Sequence, residues 1–425
     1  MSKKKNNSAA GLQALYARVC GLDLHKELIV ACVRIVDAGD GTVQSTLRKV
    51  GTMTADLREL CRWLSEQKVT HVAMESTGIY WQPVFNLLEG HFEVLVINAQ
   101  HLKKVPGRKT DMKDAEWIAQ LLQCGLLKSS FIPDRQQREL RDLTRQQTKL
   151  VQQRNAVGNR IQKVLETANI KLGSVVSDVM GVSGRKMIES LMAGEKDVVV
   201  VADLAQRKLR EKIPQLQRAL EGELTEHQRF VLGELLEQYH FLEKKIERIS
   251  ERLGTVAPAS FRAAVEQLDA VAGIAERGAR ALLAETGTDM SRFPTHKHFA
   301  SWAGQCPGNH ESAGKRRSGK TPAANRHIDA VLTEMAHAAV RTKNSYFKSQ
   351  YHRLAGRRGK KRAIGAVKHS LLVTVYFMLR HNKPYKDLGA DYFDKLNPQQ
   401  RIRYHVRKLQ ELGQKVELSA MADAA

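Results

Sequence analysis

An α/β layer joined to an all-α remainder is the fold class the sequence predicts, on three observations. Up to about residue 130, short β-rich runs alternate with amphipathic stretches. Over residues 133–253 the chain turns polar and charged and loses nearly all β-rich runs, while apolar positions recur at heptad spacing. From residue 257 onward, segments of helical character return, separated by Gly- and Ser-containing loops. The expected division is a disordered basic tail over 1–14, an α/β domain over 15–130, a helical coiled-coil region over 131–256 and a mainly helical C-terminal domain over 257–425.

The runs ARVCGLDL, ELIVACVRIV and GTVQSTLRKVGT read as three strands, and TADLRELCRWLSEQ as an amphipathic helix opened by a Thr/Asp cap. THVAMEST is a strand, GIYWQPVFNLLEG a helix with an internal proline, FEVLVINA a buried strand, and DMKDAEWIAQLLQC another helix. The order βββαβαβα fits a ribonuclease H-like layer, in which three strands meander and helical crossovers then cover a mixed sheet. In such a sheet the first strand and the strand after the first helix lie side by side.

In the middle region Leu143, Leu150, Val157 and Val164 repeat at seven, and Leu235, Tyr239, Leu242, Ile246, Ile249 and Leu253 step by four and three. The second series is a coiled-coil seam. Gly and Ser in the intervening KLGSVVSDVMGVSGRKMIESLMAGEKD break the helix, so a long helical hairpin that closes within the chain is expected, with some role in oligomerisation. The third region opens with LDAVAGIAERGARALLAETG, a helix, a glycine-containing turn and a second helix. It reads either as a helix-hairpin-helix able to hold a phosphate or as a plain αα-hairpin. A loop and a helix follow in SWAGQCPGNHESAGKRRSGKTPAANRHIDAVLTEMAHAAVR, then an apolar helix in AIGAVKHSLLVTVYFMLRHNKPY.

The chain holds 68 Lys and Arg against 45 Asp and Glu, a formal charge of +23, which points to a polyanionic partner and first of all to nucleic acid. The excess is uneven, since residues 311–368 carry 15 Lys and Arg against 3 Asp and Glu. An ordinary solvated basic surface would spread its charge more evenly. The five cysteines form no CxxC pair and are odd in number, which argues against a zinc module and a disulfide framework and for a reducing, cytoplasmic setting. No apolar run reaches the ~20 residues of a membrane span, and the start MSKKKNNSAA lacks the apolar core of a signal peptide, so no membrane partner is expected.

Four acids carry the candidate chemistry. Asp111 and Asp114 stand three apart at a helix start, where by themselves they read as a cap and an acidic first turn. Asp23, in CGLDLHK, and Glu75, in AMESTG, fall at strand ends, and in the expected sheet both emerge at the edge where that helix starts. Glu75 could instead cap the following turn. Four carboxylates together repel unless cations neutralise them, and hard divalent ions prefer oxygen ligands. Two Mg²⁺ or Mn²⁺ ions about 4 Å apart would suit phosphoryl transfer, with Asp23 bridging, Glu75 and Asp114 flanking and Asp111 completing the set.

GLDLHK, MESTGIYWQPV and KTDMKDAEWIA resemble the DEDD motifs of transposases of the one-ten family of bacterial insertion sequences, whose N-terminal domain is similar to the Holliday-junction resolvase RuvC. FASWAGQCPGNHESAGKRRSGK resembles the second block of that family, in its eleven-eleven subgroup. The resemblance runs over residues 17 to about 385, with one departure: AGIA stands where the family has PGIG. It assigns the four acids to Asp23, Glu75, Asp111 and Asp114 and implies that Ser312 attacks DNA to form a phosphoserine intermediate. Lys315, Arg316, Arg317 and Lys320 are placed to offset phosphate charge.

The resemblance also implies donor and target DNA as partners, a noncoding bridge RNA as guide, and a homodimer or homotetramer in which one subunit's serine domain meets another's acid domain. It implies action at the bacterial nucleoid. Lys103, Lys104, Arg108 and Lys109 in HLKKVPGRK, and Arg357, Arg358, Lys360, Lys361 and Arg362 in YFKSQYHRLAGRRGKKR, supply further phosphate contacts. Tyr346, Phe347 and Tyr351 are read as stacking partners or as core. The alternative activity is a hydrolytic RuvC-like nuclease with no covalent intermediate, and a third class is a basic scaffold without catalysis.

Overall fold

The computed structural model describes residues 14–37, 39, 41–98, 114–308, 310–319, 321–322, 325–396 and 398–419. All but the last residue of the expected tail lies outside these. The chain forms two compact units, Met1–Pro133 and Asp134–Ala425.

In the first unit β1 (Arg18–Leu24), β2 (Leu28–Val36), β3 (Val43–Gly51), α1 (Thr54–Glu66), β4 (His71–Glu75), α2 (Trp81–Leu88), β5 (Glu93–Ile97) and α3 (Asp114–Gln123) follow in order. The sheet order is β3-β2-β1-β4-β5. The first three strands meander antiparallel, and β4 and β5 run parallel to β1 and to each other. β1 is therefore central, and it is buried on both faces because both are covered. Cys20, Leu22 and Leu24 pack with Leu57, Leu60 and Leu64 of α1 and Val84, Phe85 and Leu88 of α2. Val19, with Ala73 and Ile97, packs against Trp117, Ile118, Leu121 and Leu122 of α3.

Gly21 explains how α3 lies so close. A Cβ there would fall 2.3 Å from the Ala115 carbonyl oxygen and 2.4 Å from the Ala119 nitrogen, so the helix backbone rests on the strand. Two local details refine the sequence expectations. Thr54 does not cap α1; the Asp56 carboxylate accepts from the Met53 backbone N–H at 3.1 Å, closing the first turn from inside. Pro83 is tolerated because α2 begins at Trp81, leaving the proline in a first turn whose N–H groups have no intrahelical acceptor.

The second unit is built on α4 (Arg135–Thr167) and α9 (Glu226–Val256), packed antiparallel along their length. Gln147 donates to Ser250 Oγ at 2.7 Å and Arg160 to Gln238 Oε1 at 2.9 Å. Asp134 caps α4 by accepting from the Gln137 N–H, and Thr225 and Gln228 form a capping box on α9. Where the sequence suggested only a break, α5 (Leu172–Val175), α6 (Val182–Met192), α7 (Val198–Asp203), a 3₁₀ turn (Arg207–Lys212) and α8 (Ile213–Ala219) form a small helical cap. Its Met187, Ile188, Val201 and Leu216 share a core with Val157, Ile161, Leu232 and Tyr239 of the long helices. A bidentate pair, Arg185 with Glu243 at 2.7 Å for each bond, fastens α6 to α9.

The remaining elements are α10 (Ala259–Asp269), α11 (Glu276–Thr286), a 3₁₀ turn (Met290–Arg292), α12 (His296–Trp302), β6 (His310–Ser312), β7 (Lys315–Ser318), α13 (Arg326–Ala339), α14 (Tyr346–Arg358), α15 (Lys360–His381), α16 (Tyr392–Leu396) and α17 (Pro398–Glu411). α15 is long and apolar enough to cross a membrane by length and composition. Here it is the core helix, with Ala363, Val367, Leu371, Leu372 and Val375 fully buried. The turn between α10 and α11 needs Gly273: its φ is +88°, and a Cβ would sit 2.4 Å from the Ala339 nitrogen at the end of α13.

Candidate active site and nucleic-acid surface

The register of the central strands locates the first two acids. Leu22 of β1 pairs with Met74 of β4, and one step further along these parallel strands brings Asp23 beside Glu75. Side chains alternate along a strand, so Asp23 shares a face with Gly21, and Glu75 with Ala73, and that face is the one α3 covers. α3 runs antiparallel to β1. The carbonyl of Gln123, its last residue, accepts from the Leu15 and Tyr16 N–H groups at 2.7 and 3.2 Å, just before β1 begins. Its first residue, Asp114, consequently lies toward the end where β1 and β4 finish. The backbones of Asp23, Glu75 and Asp114 thus gather at one edge.

His25, two residues past Asp23, places Nε2 3.2 Å from Asp23 Oδ2 and so holds the carboxylate. The sequence reading passed over this histidine although it stands in the GLDLHK motif. Asp23 keeps a quarter of its side-chain surface open to solvent. Asp111 lies outside the described residues. Among the described residues no three His, Cys, Asp or Glu side chains sit close enough together to hold an ion, so Asp23, Glu75 and Asp114 alone do not complete a metal cage. Behind the edge, burial pushes the Cys32 thiol up to about 11, with the charge of Glu116 adding to the shift, which makes it an inert thiol.

Ser312 stands where a plain loop was expected, and the structure corrects that expectation. β6 and β7 form a hairpin in which Ser312 pairs with Lys315 across the two-residue turn Ala313-Gly314. Both turn residues have positive φ, +51° and +72°. That is the backbone of the tight hairpin turns whose twist matches the strands, usually written Asn-Gly or Asp-Gly. Alanine in the first position hid the signal. Of the cations assigned to this loop, Lys315 is exposed, Arg316 and Arg317 lie on β7, and Lys320 lies outside the described residues.

Residues 20–170 match the DEDD transposase profile of the IS110 type, and residues 265–352 match the profile of the Transposase IS116/IS110/IS902 family. A "Probable family 20 transposase" of Pseudomonas aeruginosa is 27% identical over 274 residues, covering 64% of this chain and 71% of that protein. The chain carries IS110/IS116-family transposase domains. The first transposase match takes in all four acids and the second takes in Ser312.

The chain also contains a buried ion cluster that the sequence reading missed. Glu285 of α11 is 1% exposed. Arg145 of α4 grips its carboxylate with two hydrogen bonds, at 2.6 and 2.9 Å. Arg141 donates to the Ala284 and Glu285 carbonyls at 2.9 and 2.5 Å. Asn325 donates to Glu285 Oε2 at 2.7 Å while its own Oδ1 accepts from the His327 N–H, capping α13. Burial pulls the Glu285 carboxyl upward, but the Arg145 bonds and charge, with Asn325 and Arg141, outweigh it and hold it below the usual glutamate range. The legible signal was an acid in line with Leu282, Leu283 and Ala284 in an otherwise buried stretch.

On the basic surface, Arg357, Arg358, Lys360, Lys361 and Arg362 are exposed, and no ion pair among the described residues engages them. Lys103, Lys104, Arg108 and Lys109 lie outside the described residues. The neighbouring aromatics resolve toward packing: Phe347 is buried in the core, and Tyr346 and Tyr351 pack against it.

Proposed function

We propose that this chain is a DNA transposase and recombinase that cuts and rejoins strands at an acid edge formed by Asp23, Glu75, Asp111 and Asp114, with Ser312 as nucleophile. One observation carries the reading: the ends of β1 and β4 and the start of α3 meet at the same edge, each bearing an acid. The layer order, a three-stranded meander followed by parallel β4 and β5, supports a ribonuclease H-like, RuvC-like domain.

The donors at this edge are hard carboxylate oxygens, with no thiolate among them, which fits Mg²⁺ or Mn²⁺ in type. Asp23, Glu75, Asp111 and Asp114 would hold such ions, a pair of them on this reading, and the ions would supply charge neutralisation at the scissile phosphate. His25 keeps the Asp23 carboxylate oriented. The Ser312 oxygen attacks phosphorus, a P–O ester bond of the DNA breaks, and the departing oxygen takes up the proton that the serine gives up. A hydroxyl of a second strand then reverses the step, releasing Ser312 and restoring a phosphodiester. Lys315 on the facing strand of the hairpin, with Arg316 and Arg317, offsets charge on the phosphoryl oxygens.

Side chains that meet phosphates leave sequence choice to another reader, and the proposal assigns it to a noncoding bridge RNA that pairs with donor and target DNA. The serine of one subunit would act on DNA held at the acids of another, in a homodimer or homotetramer. The test incubates the full chain with labelled element-end DNA, co-expressed RNA and Mg²⁺, then denatures it. Label retained on protein, lost with Ser312→Ala together with cleavage, is the expected result. Cleavage that persists in Ser312→Ala without any adduct would establish the hydrolytic nuclease instead.

A further inference from the structure

A cationic groove of about 740 Å³ lies in the C-terminal unit between α14 and the pair α16 and α17. One wall is a stripe of α14 carrying Lys348, Arg353 and Arg357, the last two a helical turn apart. The other wall presents Arg401 and Tyr404 of α17. Asp394 is the acid among the lining residues, and it is already engaged by Arg401 Nε at 2.8 Å. Arg353 lies over the Phe393 ring at 4.9 Å, so its charge is held at the groove by stacking. Among its described side chains α17 buries none, and Tyr404 leaves 47% of its surface open. The far wall lies beyond both family-matched stretches, which end at residues 170 and 352.

We propose that this groove is a binding site for single-stranded nucleic acid, with the cations on the phosphates and Tyr404 stacked on a base. Cations facing an exposed aromatic across a concave cleft are what an unpaired strand requires. A duplex keeps its base faces covered and would leave Tyr404 without a partner. The inference rests on the reading that the chain works on nucleic acid. It assigns the C-terminal extension a role separate from cleavage, that of holding an unpaired segment of guide or displaced strand.

The test measures binding of the full chain to fluorescent 20-nucleotide oligo-dT and oligo-U and to a 20-base-pair duplex, without Mg²⁺, so that it reads independently of any cleavage. Tyr404→Ala is expected to weaken single-strand binding about five- to tenfold through lost stacking. It should weaken duplex binding far less, and Tyr404→Phe should restore the single-strand affinity. Lys348→Gln with Arg357→Gln should lower the salt dependence by about 0.7 log unit per lost phosphate contact. Single-strand affinity unchanged in all these variants, loss of equal size for duplex, or equal displacement by poly-glutamate would overturn the proposal. Preference for oligo-U over oligo-dT identifies the strand as RNA, the reverse as DNA, and either result upholds the site.

Discussion

Asp23 and Glu75 ride on central strands covered on both faces, where Gly21 pairs with Cys32 on one side and Ala73 on the other. Ser312 ends a three-residue strand closed by a two-residue turn, its backbone set by the φ of Ala313 and Gly314. Moving the acid edge would mean repacking the unit, because α3 touches the β1 backbone itself. The serine's placement is a local property of one hairpin. Chemistry that needs several carboxylates held together suits the first kind of scaffold, and a nucleophile that enters and leaves a covalent bond suits the second.

The largest expected effect tests the acid half. Asp23→Asn keeps the shape and removes the charge, and strand cleavage should fall roughly a thousandfold while hydrogen exchange in β1 stays the same. A variant that cuts at a near-normal rate breaks the comparison, because the edge would then carry no chemistry.

Glu285→Gln tests whether the unit bearing the hairpin is as rigidly founded as the sheet. It should cost about 3 kcal/mol by leaving Arg145 without its buried charge, read as a lower urea midpoint. The folded pKa of Glu285 lies below its ordinary value, so its contribution is present above the ordinary glutamate pKa and is lost as pH falls through the folded one. The gap between wild type and variant should accordingly close in acid; a constant gap would show that the charge is not what stabilises.

Gly21→Ala should cost about 2 kcal/mol by overpacking against α3, seen as faster amide exchange in that helix. Ala313→Gly should do the opposite on a smaller scale. Relief of the left-handed alanine is worth about 0.5 kcal/mol after the entropy of glycine is counted, and the Lys315 amide should exchange more slowly. Equal responses at the two glycine and alanine positions would erase the contrast between buried-sheet and hairpin scaffolds.

Period-two runs, caps and the βββαβαβα order let the sequence place the meander and the neighbouring β1 and β4. Asp23 and Glu75 could be set side by side for the same reason, since an acid ending a buried apolar run is visible in one dimension. The hairpin at Ser312 was hidden because Ala-Gly is a weak turn signal. The helical cap over residues 172–219 was hidden because its helices are too short for periodicity to show. Glu285 was missed because burial of an acid depends on arginines that lie 140 and 144 positions away. The groove at Arg401 escaped notice because α17 reads as an ordinary solvated helix until α14 is set opposite.

Local preference and alternation determined by themselves the strands and helices of the first unit and the two long helices of the second, where acids fall at their ends, and that the surface is cationic. Only tertiary packing decided that α3 runs back along β1 with Asp114 over the acid edge, that Glu285 is caged, and that two basic helices enclose a cleft. Those outcomes depend on which faces meet across long stretches of chain, and the free energy that selects them belongs to pairs of distant residues.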